Sequence, residues 1–143
     1  MPSEAPSNAM KRNIDVALVL WNTDVIQLAS LVLCRRNLVS MGIEPSEGLD
    51  KIGDVIASSG APVVVFDLEP PYARSAAVLG QLLNRFIDRS FVMTCADPML
   101  AVKATPWLSG HSIFQKPYAM ADMADTVCSL IRLHSSTTSS FVM

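Results

Sequence analysis

Short apolar runs alternate with longer amphipathic stretches along most of this chain, the rhythm of βα units wound around a parallel sheet. The runs Val16-Ala17-Leu18-Val19-Leu20, Val63-Val64-Val65-Phe66, Phe91-Val92-Met93 and Ile113-Phe114-Gln115 read as buried strands. Ile43-Glu44-Pro45 reads as a short second strand, and its proline, which donates no ladder hydrogen bond, sends it to a sheet edge. Helical spacing fills the intervals. Asp24 is placed to cap a first helix carrying Ile26, Ala29, Val32 and Leu33, and Gly42 to end it in a left-handed conformation. Ser46 is placed to cap a second, with Leu49, Ile52, Val55 and Ile56 on one side. A third spans Ala73 to Phe86, and Asp97 caps a fourth that Pro106 ends. Met120 to Leu133 forms the last, striped by Met123, Val127, Leu130 and Ile131. Right-handed crossovers and an edge second strand give a doubly wound, five-stranded parallel sheet of order 2-1-3-4-5. Residues 1–12 and 135–143 lack this periodicity and are expected to be a disordered N-terminal tail and a flexible C-terminal tail around one domain, 13–134.

Composition narrows the class. A chain of 143 residues can bury one self-sufficient core. Half of it is hydrophobic, and a mean hydropathy of +0.35 points to an apolar face used for association. No apolar run approaches the ~18 residues a membrane helix needs, and the start lacks the charged-then-apolar order of a signal peptide. The net charge of -2 argues against a broad nucleic-acid footprint, which requires a basic face. Cys34, Cys95 and Cys128 are widely spread with no CxxC pair. They read as reduced core residues of a cytoplasmic protein, not a disulfide frame or zinc site.

Three polar residues end apolar runs: Asp67, Thr94 and Lys116. In a doubly wound sheet the C-terminal strand ends converge on one crevice. A carboxylate, a hydroxyl and an ammonium are therefore expected in one pocket, the groups needed to form and hold an acyl phosphate. The first strand runs into Trp21-Asn22, where such a site would want acidic metal ligands.

In this order the motifs resemble the receiver domain of two-component response regulators, with its flavodoxin-like, CheY-like architecture, over roughly Ile14 to Leu133. Val63-Val64-Val65-Phe66-Asp67 looks like the strand that presents the phospho-accepting aspartate, and Pro71 falls where the family places its loop proline. Thr94, followed by the small Cys95 and Ala96, matches the hydroxyl residue. Lys116-Pro117-Tyr118 looks like the Lys-Pro-aromatic signature, whose proline is commonly cis. The spacings of 27 residues from Asp67 to Thr94 and 22 from Thr94 to Lys116 suit one α/β unit each. The resemblance implies Asp67 as phospho-acceptor, with Thr94 and Lys116 contacting the phosphoryl group. It implies a sensor histidine kinase or phosphotransfer protein as donor, a downstream partner protein, and a homodimer face on the fourth helix, fifth strand and fifth helix. No nucleic acid or membrane contact is implied, and no enzymatic turnover.

The departures from the family matter as much. Receivers carry two adjacent acids after the first strand that hold Mg²⁺; Trp21 and Asn22 stand there. A degenerate, weak metal site of Asn22, Asp67 and Glu69 is what remains, and a hard dication prefers charged oxygens. Weak or absent Mg²⁺-dependent phosphorylation follows. Ile113 occupies the position of the rotating aromatic switch, and alternation aims Phe114 at the opposite face. Trp21 either caps the crevice or packs over the sheet end. The expectation is a stand-alone, atypical receiver. The alternatives are a phosphorylation-independent docking pseudo-receiver and, more remotely, a phosphatase like the haloacid dehalogenases, whose Asp-x-Asp opening Asp67-Leu68-Glu69 faintly resembles.

Overall fold

In the computed structural model, residues 13–142 are described, with side chains through Ser135. The expected tail at 1–12 lies outside them. The elements run β1 (Val16–Val19), α1 (Thr23–Cys34), β2 (Ser40–Ile43), α2 (Leu49–Ser59), β3 (Val63–Leu68), α3 (Tyr72–Arg85), β4 (Ser90–Cys95), α4 (Pro98–Ala104), β5 (Ile113–Gln115) and α5 (Met120–Val142). Short 3₁₀ turns at Pro45–Glu47 and Pro106–Gly110 precede α2 and β5. All strand pairs are parallel, in the order β2-β1-β3-β4-β5. The order inferred from the sequence is the order found.

Every residue of β1 and of β3 is buried, as a sheet covered on both faces requires. Alternation divides them between two cores. Ala17, Val64, Phe66 and Leu68 face α2, α3 and α4, meeting Ile52, Ile56, Leu79 and Leu82. Val16, Leu18, Val63 and Val65 face α1 and α5, meeting Ala29, Leu33, Met123 and Val127. Two helices thus cover one face and three the other.

Several local expectations are corrected. β2 is Ser40–Ile43, three residues earlier than expected, although it does lie at the edge. Its Ser40, Met41 and Gly42 are partly or largely exposed, so no apolar run announces it, while Pro45 starts a 3₁₀ turn instead. Gly42 therefore does not end α1. It is needed because a Cβ there would approach the Ile26 side chain of α1 closely; the left-handed residue after α1 is Asn37, at φ 64°, a type that tolerates it. Asn22, not Asp24, caps α1: its side-chain oxygen accepts from the backbone N–H of Asp24 at 2.8 Å. Ser46 caps nothing; Gly48, at φ 100°, precedes α2 without a side-chain cap bond. Asp97 does cap α4, accepting from the Leu100 N–H at 3.1 Å. α5 was expected to stop at Leu133, but its helical backbone continues to Val142, through a Ser/Thr run that holds neither Gly nor Pro to break it. Cys95 is buried, but Cys34 is exposed at the end of α1 and is no core residue.

Candidate functional site

β3 and β4 pair in register so that Asp67 and Thr94 are direct neighbours. Both lie between residues that face α2 and α3, so alternation turns them toward the α1 and α5 side. Lys116 follows the last residue of β5, and its backbone N–H is tied to the Cys95 carbonyl at 2.8 Å. The sheet therefore delivers all three groups to one rim. The Thr94 hydroxyl donates to Asp67 Oδ1 at 2.8 Å. Lys116 Nζ lies 2.8 Å from Oδ1 and 3.0 Å from Oδ2 of Asp67. The Lys116-Pro117 peptide is cis, as is Pro70-Pro71.

Glu69 joins this group. Its carboxylate accepts from Lys116 Nζ at 2.5 Å, so one ammonium is shared by two carboxylates. Alternation could have shown this, since residues 67 and 69 fall on the same side of an extended segment. The Glu69 backbone N–H is itself held by the Ser75 hydroxyl at 3.3 Å. Trp21 is partly exposed above the rim and donates its indole N–H to the Asp67 carbonyl oxygen at 3.2 Å. It is both crevice wall and strand-end packing, the two roles that stood open. Trp21, Asn22, Val25 and Tyr118 complete a cavity of about 330 Å³ around the three site residues.

The electrostatics follow from burial and this shared cation. Asp67 is 5% exposed, and burial holds its carboxyl above the ordinary range. The bonds from Lys116 and Thr94 offset part of that rise, and the charge of Glu69 adds to it. Burial alone would lower the Lys116 ammonium, but its bonds to Asp67 and Glu69 outweigh this and hold it above its usual value. Burial, and then the Asp67 charge, push the Tyr118 hydroxyl up as well. Among the described residues no buried side-chain polar atom lacks a partner.

The donors present fit a hard dication poorly. Asp67 and Glu69 already share the Lys116 ammonium, and Asn22 Oδ1 is turned to the N–H groups of Asp24 and Val25. Among the described residues no three His, Cys, Asp or Glu side chains are grouped to hold a metal ion. Ile113 packs toward the α2, α3 and α4 core while Phe114 lies on the other face, tilted against Tyr118 with ring centroids 5.8 Å apart.

Neither a family model nor a curated protein sequence matches the chain. Solved structures match by shape. The signal receiver domain of a Vibrio parahaemolyticus protein superposes with a TM-score of 0.70 at 16% identity, over 89% of this chain and 96% of that one. This chain has the receiver fold. The apo receiver domain of nitrogen regulatory protein C matches with a TM-score of 0.68 at 19% identity, covering 88% of this chain and 99% of that one. A response regulator receiver domain protein from Clostridium thermocellum gives 0.67 at 10% identity, over 91% and 99%. At such identities the likeness is one of fold. Among the described residues no helix is long and apolar enough to cross a membrane.

Proposed function

We propose that the chain is an atypical receiver of two-component signalling, with Asp67 as its phospho-accepting residue and Thr94 and Lys116 as its phosphoryl contacts. The observation that carries this is the convergence of a buried carboxylate, a hydroxyl and an ammonium within hydrogen-bond distance at one sheet rim. An Asp67 oxygen would attack the phosphorus of a phosphohistidine on a donor protein. The P–N bond breaks, the imidazole takes the electron pair, and an acyl phosphate forms on Asp67. Lys116 then turns from the carboxylate to phosphoryl oxygens, and Thr94 donates to them. Clamping by a metal supplies several kcal/mol, of order, to phosphoryl transfer in sites that have one. With its carboxylates tied to Lys116, this site is expected to transfer slowly.

A second reading is favoured by that same tie. Lys116 bonds both acids without metal or phosphate, as a docking pseudo-receiver locked in one state would have it. On either reading the output is contact with a partner protein. The α4-β5-α5 face is the proposed dimer surface. Met99 is 84% exposed on it, whereas Met123 belongs to the core.

Treatment with acetyl phosphate or beryllofluoride, with and without Mg²⁺, followed by intact mass and tryptophan emission, separates the two. Slow addition of one phosphoryl group, abolished in Asp67→Ala, supports the phospho-accepting receiver. A protein inert under all conditions refutes it in favour of docking alone.

A further inference from the structure

Beside the Asp67 crevice, and sharing Trp21 with it, lies a second cavity, of about 250 Å³, between α2, the end of β3 and α3. Trp21 and Glu69 line both. The second cavity is otherwise walled by apolar groups, chiefly Leu49, Ile52, Phe66 and Val78, with proline rings at its margin. Its polar groups are not equivalent. Glu69 is paired with the Lys116 ammonium that it shares with Asp67, and Ser75 is bonded to the Glu69 N–H. Arg74 lies at the exposed start of α3; its backbone N–H bonds the Pro71 carbonyl, but its guanidinium makes no hydrogen bond or ion pair among the described residues. An apolar hollow with one uncommitted guanidinium at its rim is built to take an apolar body bearing a single anion. Its size is just under the ~300–1,000 Å³ of sites for drug-sized ligands, so the occupant is small.

We propose that this cavity binds a small aromatic carboxylate of one or two rings, its ring against Trp21 and its carboxylate on Arg74. The inference does not rest on phosphoryl transfer at Asp67, and its readout is independent of that chemistry. Because the Trp21 indole N–H is bonded to the Asp67 carbonyl, a ligand pressing on this ring is sensed at the strand end that carries Asp67.

The test is a titration of the full chain with 1-naphthoate, following the Trp21 indole N–H resonance. Trp107→Phe, on the surface, identifies which of the two indole signals is which. A saturable shift is expected, weakened about tenfold or more in Arg74→Gln and weaker with the uncharged 1-naphthalenemethanol. Val78→Phe, which fills the cavity from the same helix face, should abolish it. No saturable shift up to millimolar ligand would leave the hollow to a partner's side chain and overturn the proposal. So would equal binding of acid and alcohol, or binding that Arg74→Gln and Val78→Phe leave unchanged.

Discussion

Replacing Lys116 by methionine removes the cation from between Asp67 and Glu69 while keeping most of the apolar stem. Removing one partner of a fully buried pair costs about 3–5 kcal/mol, because the other charge stays buried and uncompensated. Here Asp67 is the buried partner, but the Lys116 side chain is 31% exposed, so water replaces part of the lost ammonium. A loss of about 2–3 kcal/mol near pH 7 is expected. Its pH dependence is the sharper signature. Asp67 already lies above the ordinary carboxylate range through burial, and losing Lys116 drives it further up. A carboxyl raised in the folded state binds its proton more tightly there than in the unfolded chain. Its penalty is full above the folded value and disappears as pH falls toward the unfolded value of ~3.9. The wild-type Lys116, raised in the folded state, contributes fully below its unfolded value of ~10.4 and is lost only as pH rises through the folded one. It is therefore constant across the acid window. Urea unfolding of both proteins near neutral pH and at about pH 4.5 should show the deficit shrinking on acidification. Asp67→Asn in the Lys116→Met background should restore most of it. A deficit that is the same at both pH values, or that Asp67→Asn does not relieve, would refute the shared-cation account.

Two further outcomes follow from the same geometry. Thr94→Val keeps shape but removes the hydroxyl that donates to Asp67 at 2.8 Å; unfolding should show a loss of about 1–3 kcal/mol, smaller in the Asp67→Asn background. Asn22→Asp preserves the α1 cap, since aspartate caps as well as asparagine; combined with Trp21→Asp it puts two more acids at the rim. Thermal melts should then show stabilisation by Mg²⁺ of about 2.7 kcal/mol at a hundredfold excess over Kd, against little or none for the wild type, and equal response in both would contradict the poor fit of the native donors.

The fold was legible where burial was complete. β1 and β3, covered on both faces, wrote themselves as runs of Val, Ala, Leu and Phe broken only by Asp67, and their order followed from the handedness of crossovers. β2 was legible only as an edge strand and not in its position, because Ser40, Met41 and Gly42 are held by backbone pairing with β1 while much of their side-chain surface meets solvent. The helix starts were ambiguous for a related reason. Asn22, Thr23 and Asp24 can each cap, and the choice is made by where β1 releases the chain. Thr23 instead reaches across to the Glu44 carboxylate, a contact between segments that no local pattern records.

At the site, Asp67, Thr94 and Lys116 could be read because each interrupts or follows a buried strand, a place where a polar group is costly unless it is partnered. Their neighbours could not be ranked in the same way. Glu69 looked like a spare metal ligand, yet it is a second counter-ion for Lys116; Trp21 looked like a lost acid, yet its indole N–H bonds the Asp67 backbone. With Trp21 and Asn22 after β1, Lys116 is the cation that two carboxylates share, and its ammonium lies between Asp67 and Glu69. The rim beside them is covered by an aromatic ring whose polar edge finds a carbonyl. The aromatic ring after β1 thereby closes the rim, and it lines both the Asp67 crevice and the apolar cavity rimmed by Arg74.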